Sequence, residues 1–470
     1  MSRERELVKN TFVLSLGKLL PKLTSFVTLP ILTAYLTKAE YGTYDLIATL
    51  VMLVIPIATL QIQAAAFRYL IDCRGNKEES SRIISNIFVV TIPVTILTSY
   101  IIQFFFSGFD TYVRILIVLY FFLDTIHLTV GQVTRGLGKN KVFSIGSILL
   151  SVSYMCAIVA GVYLLKAGLA GVIASLAFAQ FIGTAYLAGT IHLFSYLSLK
   201  LVSLDQIREL LSYSWPMVPN NLSTWVLKLS DRLVITGFLG VEANAVYAVA
   251  NKIPNLLSIA QSIMVMAWQE NASLAAKDED ADAYYSKMLD RVFNLMFGCT
   301  AILIAATPIL FRILIRGDYD EAYYQMPVLI LAMFFFVMSS YFGGIYIAHK
   351  KTVNVGISTM AAAAVNLGID LAFVNVIGIW AGSISTLTAY VVLYFYRMFN
   401  SRSFQPMKVN YKKQAGLIAI LTALLISCFM RRTVLNILNI AAALILFWIF
   451  NREAAEQGLR KILRKFTKRA

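Results

Sequence analysis

Charge is scarce in this 470-residue chain: 14% of the residues are Asp, Glu, Lys or Arg, whereas 59% are hydrophobic. A soluble domain carries about a quarter of its residues charged to face water, so that class is excluded. Histidine occurs three times, and the four cysteines, Cys73, Cys156, Cys299 and Cys428, stand far apart. They match no metal or redox spacing and read as packing residues, so no metal site and no cofactor is expected. Catalytic signatures are missing as well. Gly136-Leu-Gly-Lys-Asn140 lacks the phosphate-loop spacing, and neither HExxH nor GxSxG occurs, so no motif supports an enzyme. Nor do apolar and polar residues alternate as they do in barrel strands.

Uninterrupted apolar sequence is what the chain has in abundance. Its runs of about 20 to 27 residues are separated by short polar breaks, and about 20 helical residues cross a bilayer. Fourteen spanning helices are expected, near 10–36, 41–67, 83–106, 113–134, 142–165, 168–194, 209–239, 244–268, 289–315, 323–347, 353–377, 378–399, 414–431 and 433–450. The first run is longer than a signal peptide and contains Lys18 and Lys22, so it is read as a span.

Orientation follows from the basic residues. Arg3, Arg5 and Lys9 precede the first span, and alternate breaks hold Arg74, Lys77 and Arg82, then Arg135, Lys139 and Lys141, then Lys200 and Arg208, then Lys350 and Lys351. The opposite breaks hold only Lys38, Arg114, Lys166, Arg312, Arg316, Arg431 and Arg432, which places both termini in the cytoplasm. The net charge of +16 is mostly this bias plus a basic tail, Arg460 to Arg469, suited to anionic lipid headgroups rather than to nucleic acid.

A repeat is also legible. Lys141, Gly146, Gly168, Ser175, Ala179 and Tyr186 reappear as Lys351, Gly356, Gly378, Ser385, Ala389 and Tyr396, each shifted by 210. Thr33, Leu36 and Tyr44 reappear as Thr236, Leu239 and Tyr247, each shifted by 203. The expected fold is therefore all-α and membrane-embedded. Two parallel six-helix repeats, 1–200 and 201–400, line a path between them, and 401–470 adds two helices and the basic tail.

Ionisable groups within spans cost about 2.5–3.5 kcal/mol each at the bilayer centre, so they should face a wet lumen or a partner. In the first span Ser15, Lys18, Lys22 and Ser25 share one face, with Lys22 roughly 18 Å from the helix start. The corresponding seventh span carries Asn221, Thr224, Lys228, Asp231 and Arg232. Lys18, Lys22, Lys228 and Arg232 are thus candidate contacts for an anionic substrate, with Arg68, Lys252, Asn251 and Asn255 as further ones. Asp124, His127, Asp231 and Asp370 are candidate ion-coupling groups, to Na+ or H+; the competing reading of Asp231 is an ion pair with Lys228 or Arg232.

Leu229-Ser-Asp-Arg-Leu-Val-Ile235, Phe238-Leu-Gly240, Lys252-Ile-Pro254 and Ala267-Trp-Gln269, together with Leu14-Ser-Leu-Gly17, Pro21 and Glu40-Tyr-Gly42, resemble the polysaccharide-transporter branch of the multidrug/oligosaccharidyl-lipid/polysaccharide exporter superfamily, which includes Wzx-type flippases. The resemblance implies V-shaped six-helix lobes, alternating access and an undecaprenyl-linked oligosaccharide as cargo, with polymer-biosynthesis membrane proteins as neighbours. It also leaves open a lipid II flippase, whose extra helix pair forms a groove for the lipid tail, and a multidrug antiporter. A lumen for cationic drugs wants carboxylates, yet the first span has two lysines and no carboxylate before Glu40.

Overall fold

The computed structural model describes residues 23–276 and 278–467, and all regular structure among them is helical. Two compact units divide the chain, residues 1–225 and 226–470. Ten of the described helices are long and apolar enough to cross a membrane.

In the first unit, α1 (Leu23–Tyr35) is followed by α2 (Lys38–Ala58), α3 (Ile62–Asp72), α4 (Lys77–Phe105), α5 (Thr111–Gly136), α6 (Asn140–Ile158, continued as a π-turn to Leu164), α7 (Gly168–Thr190) and α8 (Leu204–Ser214). The expected span 41–67 is not one helix. Leu60 and Gln61 take left-handed backbone angles, φ 47° and 59°, and separate α2 from α3. Pro56 lies one turn earlier, where it removes a backbone donor from the helical ladder. Around α5 the side chains of α3, α4 and α7 form the core, with Ile62, Ala66, Ile84, Val130, Val133 and Leu187 buried together.

One carboxylate closes two helices of this unit. Thr37 and Glu40 form a reciprocal capping box at the start of α2, and Glu40 Oε1 also accepts the Leu169 N–H at 3.2 Å, at the start of α7. Gly168 makes this possible. Its φ is +52°, and a Cβ there would lie 2.1 Å from Glu40 Oε1. The Glu40-Tyr-Gly42 motif and Gly168 are therefore one structural device.

α9 (Met217–Leu239) runs across the boundary, and the second unit continues with α10 (Val241–Ala250), α11 (Leu256–Ala275), α12 (Ala281–Leu314), α13 (Asp320–Ala348), α14 (Thr352–Ile377), α15 (Trp380–Ser401), α16 (Tyr411–Phe429) and α17 (Thr433–Thr467). Residues 251–255, which include Pro254, interrupt the expected span 244–268 between α10 and α11. α13 is the centre of the unit, buried along most of its length against α15, α11 and α12. Trp268 stacks on Tyr341 with centroids 4.5 Å apart and donates its indole N–H to the Tyr341 carbonyl at 2.8 Å. Arg397, 6% exposed, donates to Ser358 Oγ (2.9 Å), Thr359 Oγ1 (3.0 Å) and the Ser339 carbonyl (3.2 Å), tying α15 to α14 and α13.

The terminal pair is fastened to this unit at both ends. Arg431 pairs with Asp320 at 2.8 Å and lies over the Tyr323 ring at 4.2 Å. Lys413 pairs with Asp290 at 3.3 Å, and Asn451 Nδ2 donates to the Asn294 carbonyl at 3.1 Å where α17 kinks. The lipid-facing character of α17 is plain in Val434, Ile437, Ile445 and Ile449, all exposed.

Candidate functional site

α9 carries Lys228, Asp231 and Arg232 within little more than one turn. Lys228 is exposed, and its ammonium lies 4.6 Å above the Phe336 ring of α13, a cation–π contact. Arg232, four residues on, is half-buried on the same helix face, near Tyr390, whose ring is 4.8 Å from that of Phe336. The two predicted cations of this helix therefore line one aromatic-backed strip.

Asp231, between them in sequence, is 2% exposed. It accepts the Tyr247 hydroxyl of α10 and, at 2.6 Å, the Thr386 hydroxyl of α15. Asp370 of α14 is fully buried, accepts the Ser385 hydroxyl at 2.7 Å, and its carboxyl is in direct contact with that of Asp231. Asn366, one turn before Asp370, donates to Ser385 Oγ at 3.2 Å and accepts from Ser230 at 3.1 Å. The Gly382 carbonyl lies 3.2 Å from the Tyr247 hydroxyl.

Asp231 Oδ1 and Asp370 Oδ2 remain without a hydrogen-bond donor although both are buried. Two like charges in contact at low dielectric are unstable unless a cation or a shared proton joins them. Every donor atom here is oxygen, from carboxylates, hydroxyls and a carbonyl, which suits a hard cation and not a soft transition metal. Sequence reading had named both aspartates, one of them with an ion pair as its competing role. It does not connect them; Tyr247 and Ser385 have no signal beyond their places in the repeat, and Thr386 has none.

The remaining candidates scatter. Lys18 and Lys22 lie outside the described residues. Arg68 forms an exposed pair with Asp72 at 2.5 Å, four residues on, an arrangement worth little in water. Asn251 donates to the Tyr247 carbonyl at 3.0 Å, so it caps α10, while Lys252 and Asn255 lie in the break before α11. Asp124 and His127 belong to the first unit and pair with α7: Gln180 donates to Asp124 at 2.5 Å, and His127 Nδ1 lies 3.1 Å from Thr184 Oγ1.

A family profile described as polysaccharide biosynthesis protein matches residues 7–269. No curated protein matches the chain in sequence. Among solved structures, the chain is similar to a lipid II flippase, MurJ, in an inward closed conformation, with 13% identity and a TM-score of 0.70 over 94% of this chain and all of that one. It is also similar to an inward-facing multidrug resistance transporter of the MATE family, with 14% identity and a TM-score of 0.67 over 83% of this chain and 95% of that one. A third likeness, 13% identical with a TM-score of 0.60, is to a MOP superfamily transporter from Pyrococcus furiosus whose binding pocket has reversed polarity; it covers 84% of this chain and 95% of that one. These likenesses establish the fold: an all-helical, multi-pass membrane protein.

Proposed function

Since the chain belongs to the polysaccharide biosynthesis protein family, we propose that it is a flippase that carries an undecaprenyl-(pyro)phosphate-linked oligosaccharide from the cytoplasmic to the outer leaflet of the cell membrane by alternating access. The observation that carries this reading is the strip on α9, α13 and α15, where Lys228 lies over Phe336 and Arg232 is near Tyr390. A diphosphate cannot enter hydrocarbon, and fixed cations beside aromatic faces replace its counterions while the rings meet sugar. Lys22, on the equivalent helix of the first repeat, is the expected second cation. Coupling falls to the Asp231–Asp370 pair, which takes Na+ or H+. A cation-coupled drug antiporter is the second reading, and the same buried acid pair is what favours it.

Lipid-linked oligosaccharide analysis in a deletion strain tests the cargo, with Lys228→Ala, Lys228→Arg and Lys228→Glu returned at matched membrane levels. The intermediate should accumulate in the deletion, and export should be lost with Glu, sharply reduced with Ala and partly kept with Arg, whose charge remains but whose geometry differs. Export at the normal rate by Lys228→Ala and Lys228→Glu sinks the cationic-strip reading. Absence of any accumulated intermediate sinks the flippase.

A further inference from the structure

The first unit contains two polar rungs that the cation pair of the second unit does not account for. Asp124 and His127 lie one turn apart on α5, and Gln180 and Thr184 lie one turn apart on the neighbouring α7, so two cross-helix contacts form side by side. The slot for the imidazole is built by a missing side chain: a Cβ on Gly183 would lie 2.9 Å from His127 Cε1 and 3.3 Å from Nδ1.

The chemistry of the partners is the informative part. A carboxylate held for structure is met by obligate donors such as arginine or backbone N–H groups. Asp124 has instead a neutral amide, and no Lys or Arg among the described residues interacts with it. Gln180 gives its Nε2 to the ionised carboxylate, while its Oε1 is buried with no donor. The same amide turned over accepts from a protonated Asp124, since oxygen and nitrogen exchange places in one rotation. Thr184 is equally two-sided, because its hydroxyl donates to a bare Nδ1 and accepts from Nδ1–H. Both rungs therefore keep their hydrogen bonds with a proton present or absent, without backbone movement.

The other titratable groups near the rungs are mostly phenols. Tyr120 lies one turn before Asp124, and Tyr44 of α2 is close to Tyr120 and bonded to Tyr154 of α6. α2 also carries buried Tyr41 and Asp45 beside Tyr44, and α7 carries Tyr186 beyond Thr184. On α3, Arg68 pairs with Asp72, and Arg74, just beyond it, is bound to the Gly136 carbonyl. Lys77, Glu78, Glu79 and Arg82 of α4 stand at its start, and Arg135 of α5 stacks on Phe67 and Phe143 two turns past His127. None of these charged side chains acts on Asp124 or His127.

We propose that Asp124 and His127 form a proton-binding site within the first unit, which takes up and releases H+ with Gln180 and Thr184 as two-way partners. The site binds a proton and forms no covalent bond. The test uses the full chain purified into nanodiscs, without any transport substrate. Infrared difference spectra between alkaline and acid pH should show a carboxylic-acid carbonyl band that disappears in Asp124→Asn. The His127 ring resonance, one of three and assigned by His127→Gln, should move over the same interval. Gln180→Leu leaves both titratable groups in place and removes the two-way partner, so the Asp124 proton affinity should rise by about fivefold, because the hydrogen bond lost from the ionised carboxylate is stronger than the one lost from the protonated acid. It keeps the test decisive if Asp124→Asn does not assemble. A wild-type spectrum without a band assignable to Asp124, or a Gln180→Leu titration that coincides with wild type, overturns the proposal.

Discussion

Replacing Asp370 with asparagine should abolish the response of the second unit to a bound cation while making the cation-free protein no less stable. In the wild type the Asp231 and Asp370 carboxyls meet in a buried cluster, and one oxygen of each lacks a donor. A cation that binds there at about 100 times its Kd adds about 2.7 kcal/mol to the folded state. For a unit the size of residues 226–470, at roughly 2–4 °C per kcal/mol, the melting temperature rises by about 5–10 °C. An asparagine at 370 removes one charge, and its amide N–H₂ satisfies Asp231 Oδ1, which relieves an orphan worth about 1–3 kcal/mol. The assay is intrinsic-fluorescence melting in detergent at fixed ionic strength, in sodium, potassium or choline chloride, across pH. Wild type should gain stability in one alkali salt over choline, and the gain should shrink at acid pH because a shared proton competes for the same oxygens. Asp370→Asn should melt at one temperature in all three salts. Identical wild-type melting in every salt at every pH, or a full salt response retained by Asp370→Asn, refutes the reasoning.

Gly168→Ala should destabilise the first unit by about 1–3 kcal/mol, since a left-handed residue gains a Cβ and the double cap loses its fit. The loss should be smaller in a Glu40→Ala background, because the Cβ would then have no carboxylate to displace; equal losses in both backgrounds, read by thermal melting, would remove Glu40 from the argument. Reporters fused after Lys413 and at Ala470 should both read cytoplasmic, as the basic bias requires, and an external C-terminus would break that topology.

The membrane-spanning segments were legible because a bilayer demands long apolar runs, and the helices of the second unit from α13 to α15 follow the expected boundaries closely, whereas α12 begins eight residues before its expected start at 289. The interruptions were hidden. The run through Leu60 and Gln61 carries no charge, glycine or proline between Pro56 and Arg68 to mark a break, and left-handed backbone at those two positions leaves no mark in composition. Proline did mark the other two breaks, Pro254 in the expected span 244–268 and Pro216 where the expected span 209–239 divides into α8 and α9, yet proline inside a span more often bends a helix than divides it. Polar residues in the spans were conspicuous for the same reason that apolar runs were, and Asp124, His127, Asp231 and Asp370 were all found that way. Their partners were not. Asp231 meets Asp370, 139 residues later, and Gln180 meets Asp124, 56 residues earlier, through pairings set by which helices pack together. A single sequence reports the energetic cost of each polar group but not the neighbour that offsets it. That is why the sequence offers an ion pair with Lys228 or Arg232 for Asp231 and does not show its contact with Asp370. In the fold the Lys228 ammonium lies over Phe336, and Asp231, three residues on and so a neighbour on the same helix, reaches Tyr247, Thr386 and Asp370. One helical turn thus carries Lys228 and Asp231 side by side, and whatever moves α9 moves both together.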